Sequence, residues 1–352
     1  MRGLIFLTAD NSLKLKNDLQ DPKPNSEEVV VRVSHCGVCG TDLHIMQGHF
    51  PVAVETQLVL GHEFTGWLQE ANADSKKNQD GNFGTPVFVN PNGRCGYCIG
   101  CQEGRVHFCG YRAMGAASVG VGRDGGWAEF VAVPANQVHR MPKDLPMSTG
   151  ILVEPISCVL HGYDRLFTAG AAKQLDPTDS VLILGAGIIG LLWACLLHQR
   201  GYRTIQISDI SPERRQVVTN MKLDGMSPKQ PTELLSNTYQ LIVDCTGVPK
   251  ALESAYKSLS SGGILCVFGC APEGVKLNLP YYDLVNREIT VVFCRVNQFA
   301  SDRAIDLTYQ LHRQGYLDFN RLGIQVYPLD QHQKAFETLG KRQAPKVAFQ
   351  LG

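Results

Sequence analysis

Two groups of metal-seeking side chains stand out in the chain. The first is Cys95-x2-Cys98-x2-Cys101-x7-Cys109, with Gly93, Gly96, Gly100 and Gly104 set among the cysteines. Four thiolates at such spacing can surround one tetrahedral Zn²⁺, and the glycines let the short loop fold back on itself. With all four positions filled, none remains for water, so the role is structural. Iron–sulfur ligation overlaps this spacing, and two disulfides would also use four cysteines; both are weaker readings in a chain with a cytosolic pattern of cysteine use. The second group is spread out: Cys39, then His62-Glu63, then Glu154 just before Pro155. Thiolate, imidazole and carboxylate are the donors of a catalytic zinc with an open position, which polarises an alcohol or carbonyl oxygen. Asp42 could hold the second nitrogen of His62. Each residue alone has a plainer reading: His62 a satisfied core histidine, Glu154 an acid in the first turn of a helix, Cys36 a buried thiol.

These donors gain meaning from Val181-Leu182-Ile183-Leu184-Gly185-Ala186-Gly187-Ile188-Ile189-Gly190. An aliphatic run meets Gly-x-Gly-x-x-Gly and an apolar helical run follows. Gly185 permits the turn, Gly187 lets the backbone approach a pyrophosphate, and Gly190 lets helix and strand pack closely. The next strand, 204–208, ends at Asp209, 24 residues past Gly185, where an acid would bind an adenosine ribose. A plain βα turn with no nucleotide is the alternative. Hydride transfer needs an electrophile set against a nicotinamide, and zinc can supply it.

The elements that must position these groups fall into two textures. The first 150 residues are β-rich and loop-rich, with strands expected at 29–33, 87–89 and 126–133 and an exposed polar loop at 70–82. From about residue 155, strands and helices alternate: 181–184, 188–199, 204–208, 213–221, 241–244, 249–259, 263–268 and 289–293. That pattern predicts a doubly wound parallel sheet with helices on both faces. A helix with apolar spacing at Ala304, Leu307, Thr308 and Leu311 follows, and the last forty residues return to short strands around a helix at 330–339.

Bulk composition narrows the function. In 352 residues, Lys plus Arg and Asp plus Glu are 33 each. Zero net charge, with no basic cluster around the four-cysteine loop, opposes a nucleic-acid-binding zinc ribbon and an anionic membrane partner; Arg94, Arg105 and Arg112 read as a solvated rim. No apolar run is long enough for a membrane span, and the N-terminus lacks the pattern of a signal peptide. Of the twelve cysteines, Cys245, Cys266 and Cys294 sit in strand-like runs. That usage suggests a reducing, cytoplasmic location.

Gly61-His62-Glu63 with Gly66, the four-cysteine loop, Val153-Glu154-Pro155 and the 185–190 glycines resemble, in order and spacing, the zinc-containing medium-chain dehydrogenase/reductase family. Within it the chain looks most like the sorbitol, threonine and related polyol dehydrogenases, of arabinitol or hexitol type. The resemblance spans essentially the whole chain. It implies a GroES-like, β-rich catalytic domain at 1–155, completed by 296–352, and a Rossmann-type domain at 156–295. It further implies one catalytic and one structural Zn²⁺ per chain. Cys39 and His62 would bind the catalytic zinc; Glu63 would be a ligand or lie just behind one; Glu154 would bind directly or through water. Thr41 and His44 match a proton relay. Asp209 and Arg214 would contact the adenosine half of NAD, Ile188 and Ile189 fall in the phosphate turn, and Thr246, Gly247 and Phe268 lie along the cofactor. Relatives are commonly homotetramers or dimers, and the strand at 289–296 is a plausible pairing edge.

The chain departs from the family at Phe293-Cys294-Arg295-Val296-Asn297, where the arginine used for polyols is displaced by one. The function expected is NAD-dependent oxidation of a polyol to a ketose. Asp209 would repel a 2′-phosphate and so favours NAD over NADP, although Arg203, Arg214 and Arg215 lie close in sequence. Threonine or a 2,3-diol is the alternative substrate. A zinc-free quinone or enone reductase, and a non-catalytic binding protein, are alternative uses of the same fold.

Overall fold

The computed structural model describes residues 1–50, 56–69, 84–109, 118–168, 175–271, 274–294 and 301–352. The loop at 70–82, Arg112 and Arg295 therefore fall outside the described residues, as do most of the residues that follow Phe293 in the departure noted above.

The β-rich part begins with β1 (Gly3–Leu7), β2 (Ser12–Lys16) and β3 (Glu28–Gly37). A helix α1 of about two turns (Gly40–Met46) leads to β4 (Gln57–Val59), β5 (Glu63–Leu68) and β6 (Pro86–Val89). The single turn α2 (Ile99–Gln102), then β7 (Phe130–Pro134), β8 (Val138–Arg140), α3 (Met147–Gly150) and the long α4 (Val153–Thr168) complete the first half. Val29, Val31 and Val33 of β3 are buried while Arg32 between them is exposed, the alternation of a half-buried strand. The strand expected at 126–133 starts at 130: Ala128 makes only an isolated bridge to Gly3, and Trp127 is wholly buried beneath it.

The α/β part runs β9 (Ser180–Leu184), α5 (Ile188–Gln199), β10 (Thr204–Ser208), α6 (Pro212–Asn220), β11 (Met226–Lys229), β12 (Tyr239–Asp244), α7 (Pro249–Ala255), β13 (Leu259–Val267), α8 (Tyr281–Asn286) and β14 (Thr290–Phe293). All six strands are parallel, in the order β11-β10-β9-β12-β13-β14. In chain order that is 3-2-1-4-5-6, the doubly wound arrangement whose crevice opens between the first and fourth strands, here β9 and β12. Side chains of α5 from Gly190 to His198 are all buried, so the apolar run after the glycines is a helix enclosed by the core. Sequence periodicity did not reveal β11, which carries Ser, Pro and Lys, or the short α8. The expected helix at 249–259 stops at Ala255, where a tight turn at 256–258 feeds β13.

The chain ends with α9 (Ser301–Arg313), β15 (Ile324–Pro328), α10 (His332–Gly340) and β16 (Lys346–Gln350). The four spaced residues Ala304, Leu307, Thr308 and Leu311 are all buried, and α9 packs against α4. β16 pairs antiparallel with β3, giving a sheet β15-β16-β3-β5-β6-β8 with β7 also on β3. The tail thus adds two strands to the sheet that carries His62 and Glu63. Among the described residues no helix is long and apolar enough to cross a membrane.

Candidate active site and metal centres

Cys39 caps the N-terminus of α1. Its sulfur faces the amide of Asp42, and the Asp42 carboxylate accepts from the Cys39 amide at 2.8 Å, a reciprocal box that fixes both side chains. Asp42 is wholly buried, and its other oxygen stands 3.3 Å from His62 Nδ1. Neither of these two atoms has an aligned hydrogen bond, so charge rather than hydrogen-bond geometry joins them. His62 and Glu63, at the start of β5, are 6% and 2% exposed. Donor atoms of Cys39, His62 and Glu63 lie within 4.8 Å of one another. Burial by itself would push the His62 imidazole down, but Asp42 and Cys39 outweigh it and hold it well above the usual histidine value. The pocket between a thiol and two carboxylates calls for positive charge. A soft and hard mixed donor set around that demand fits a divalent zinc ion.

Glu154 is buried in the first turn of α4 but is not one of the three mutually close donors. Its Oε1 lies 3.9 Å from the Cys158 sulfur. The Thr41 hydroxyl stands 3.7 Å from Cys39 Sγ, and His44, one turn on, has the His49 ring 6.4 Å away. The structure therefore brings Cys39, Thr41, Asp42, His62 and Glu63 together, while Glu154 is close enough to Lys346 for its charge to help raise that lysine.

One residue at this site gave no sign in the sequence. Lys346 of β16 is 1% exposed and donates to Glu63 Oε2. Burial works against its charge, yet Glu63 and then Cys39 raise it above the ordinary lysine value. A lysine between Pro345 and Val347 reads as a strand-end surface residue. Only the pairing of β16 with β3 puts it indoors.

In the four-cysteine loop, the Cys95 sulfur is 3.9 Å from Cys101 Sγ and 3.6 Å from Cys109 Sγ, and all four sulfurs lie within 4.8 Å of one another. The amide of Cys98 points at Cys95 Sγ at 3.4 Å. Desolvation and the neighbouring sulfurs push the Cys101 thiol up to about 11, whereas the Cys101 amide and Cys95 hold Cys98 below its usual value. Thiols this close cannot all ionise without a cation, which suits a closed tetrahedral zinc site. Arg94 and Arg105 are exposed around it.

At the crevice of the parallel sheet, Gly185 has φ +97°, and a Cβ on Gly190 would stand 1.9 Å from Gly185 O. Only glycine allows α5 to start this close to β9. A Cβ on Gly187 would meet nothing nearer than an Arg214 nitrogen at 3.8 Å, so open space lies over the start of α5, where free amides can face phosphate. Ile188 and Ile189 are half-buried in that first turn. Asp209 is 8% exposed, held by Ala186 N and Ser211 N at 2.8 Å each. Across the crevice, Asp244 accepts from Thr246 N and Oγ1 at 2.9 and 2.6 Å, shaping the Thr246-Gly247 turn. These features fit a dinucleotide. Phe268, just past the end of β13, is 6% exposed and makes a T-shaped ring contact with Trp193 at 5.7 Å.

Comparison with known proteins follows the same division. Residues 25–143 match the alcohol dehydrogenase GroES-like domain, and residues 147–351 match the glucose dehydrogenase C-terminus. An L-threonine 3-dehydrogenase of Streptomyces avermitilis is 33% identical over 281 residues, covering 76% of this chain and 77% of that one. A D-altritol 5-dehydrogenase of Agrobacterium fabrum is 28% identical over 299 residues, 83% of each. A zinc-binding dehydrogenase of Sinorhizobium meliloti, solved with NADP, superposes with a TM-score of 0.84 at 27% identity, over 99% of this chain and 98% of that one. The chain belongs to the zinc-containing medium-chain dehydrogenase family, in the branch that holds polyol and threonine dehydrogenases. It is an enzyme of the alcohol dehydrogenase type, with a GroES-like domain joined to a Rossmann-type parallel sheet.

Proposed function

We propose that the enzyme oxidises a secondary alcohol of a polyol to a ketose, with NAD as acceptor and two zinc ions per chain, one at Cys39, His62 and Glu63 and one at the four cysteines. The observation that carries this reading is the buried Cys39–His62–Glu63 trio, which joins thiolate, imidazole and carboxylate in one pocket. The bound groups supply Lewis-acid polarisation of the alcohol oxygen and acceptance of a hydride. The chain's own residues do the rest. Asp42 orients His62 and balances its charge. Thr41 takes the hydroxyl proton and passes it on toward the half-buried His44. Glu154, buried alongside, holds a water or a substrate hydroxyl near the trio. Residues 1–155 with 296–352 form the catalytic domain and 156–295 the cofactor domain.

The polyol names among relatives, D-altritol and D-arabinitol dehydrogenase, support the substrate class. The threonine dehydrogenases among them make threonine the second reading. Threonine needs a cation for its carboxylate, and among the described residues the buried lysine beside the trio, Lys346, is already paired with Glu63. Initial rates over polyols, 2,3-diols and threonine decide: turnover confined to threonine would overturn the polyol reading.

For the cofactor, Asp209 presents a buried carboxylate where a ribose 2′-phosphate would sit. Arg203 is turned to His198 O at 2.7 Å and to Tyr202 O at 2.9 Å, whereas Arg215 donates to Asp209 O at 2.7 Å, beside that carboxylate. Arg214, with its Nε buried and unpartnered, is left to face the adenosine. Asp209→Ser is expected to lower the NAD-to-NADP ratio of kcat/KM about ten- to a hundredfold, or ~1.4–2.8 kcal/mol. An unchanged ratio would show that Asp209 does not select the cofactor.

β14 is an edge of the parallel sheet, and Tyr281, Tyr282, Val285 and Phe293 beside it are 60–82% exposed. Open edges invite pairing. We assign this edge to a homo-oligomer interface, dimer or tetramer. Phe293→Glu should reduce the mass measured by light scattering, and a monomeric parent protein would refute the assignment. The free thiols fit a cytoplasmic location, where they stay reduced; recovery from cells of a disulfide-linked form would count against it.

A further inference from the structure

A lysine buried to 1% exposure needs a partner and a purpose. Lys346 lies on β16 two residues before Ala348, which pairs with Gly37 of β3; Gly37 in turn pairs with Glu63 of β5. Lysine, glycine and glutamate thus stand on three adjacent strands with the glycine in the middle. A Cβ on Gly37 would fall 2.2 Å from Glu63 Oε2 and 2.8 Å from Lys346 Cε. The absent methyl is what lets the two outer side chains meet across the central strand. The lysine also donates to Val38 O at 3.2 Å, the carbonyl joined to Cys39. Its ammonium is therefore tied to two of the three donors of the trio, one through a side chain and one through the backbone.

Stability alone does not account for this pair. Apolar replacements of a buried ion pair are often neutral or stabilising, so the charges need another reason to be kept.

We propose that Lys346 is a positioning residue for the metal site: by occupying one oxygen of Glu63 it leaves the carboxylate only the other to present beside Cys39 and His62, so that a position stays open for the substrate oxygen. This rests on the metal-dependent reading above. Three single-atom donors and one open position make a catalytic zinc site, whereas a carboxylate free to offer both oxygens would close it.

Cobalt in place of zinc reports donor number directly, because the intense visible bands of a four-coordinate site weaken when a fifth donor joins. The four-cysteine loop contributes equally in parent and variant and cancels in the difference spectrum. Lys346→Met should keep the parent's metal content, weaken the cobalt bands, and raise KM for the alcohol about 10–100-fold. Gly37→Ala, which keeps the lysine but wedges the pair apart, should give the same spectral change and carries the test if Lys346→Met does not fold. In a Glu63→Gln background Lys346→Met should add no further spectral change. Unaltered cobalt bands in folded Lys346→Met, loss of the metal from it, or a change that persists without Glu63 would each overturn the proposal. If the parent protein takes no metal at Cys39 and His62, the functional reading itself fails; if the parent binds cobalt there and the variants match it, only the role of Lys346 fails.

Discussion

His62→Ala lowers kcat/KM for the alcohol about a thousandfold or more, while the metal at the four cysteines and the fold persist. Lewis-acid stabilisation of the developing alkoxide is worth several kcal/mol, and ~4 kcal/mol corresponds to about three powers of ten. The residue is 6% exposed and, among the described residues, is the one imidazole grouped with Cys39 and Glu63. Its removal leaves the wholly buried Asp42 facing an empty space, with only the Cys39 amide still bound to it. Asp42→Asn keeps the shape but loses the charge that orients the imidazole, and should cost less, about 10–100-fold. Steady-state rates with metal analysis on each variant check both values. A His62→Ala enzyme within tenfold of the parent would place the chemistry elsewhere.

Cys98→Ser removes one metal per chain and destabilises the protein by several kcal/mol, bounded by the about 10–16 kcal/mol with which four-donor peptides hold structural zinc. The region has little else to hold it. α2 is a single turn, and Tyr97, Ile99 and Phe108 are 53–76% exposed; among the described apolar side chains of the loop, Val106 is buried. Urea unfolding with and without a chelator is the appropriate measurement. Chelation should lower the parent's midpoint toward that of Cys98→Ser and leave the variant's own midpoint nearly unmoved. A variant as stable as the parent would show that hydrogen bonds among the thiols suffice to hold the loop.

Features that depend on neighbours in sequence were legible before the structure. The β9–turn–α5 unit, the four-cysteine loop and the α9 stripe are local patterns, and each occupies the expected residues. The pairing of Asp42 with His62 was also anticipated, because both flank the donors they serve. Features that depend on strand register were not. Lys346 looks like any charged residue at a strand end until β16 pairs with β3, and the smallness of Gly37 matters only because Glu63 and Lys346 lie on either side of it. The contact of Phe268, just past β13, with Trp193 of α5 is likewise a long-range neighbour that the sequence does not supply. β11 escaped notice because Ser227, Pro228 and Lys229 carry no strand propensity; as an edge strand it tolerates the proline that an inner strand would exclude. The role of Cys39 as a helix cap was hidden by the brevity of α1, too short for an apolar stripe to repeat.

The central claim is that a second metal, held by Cys39, His62 and Glu63, carries the chemistry. Mass-spectrometric metal counting on the purified enzyme, followed through graded chelation with alcohol oxidation measured on the same samples, tests it most directly. Two zinc ions per chain are expected, with activity lost in step with the Cys39–His62–Glu63 metal while the four-cysteine metal is retained. One zinc per chain with full activity, or activity that survives loss of the Cys39–His62–Glu63 metal, would contradict this.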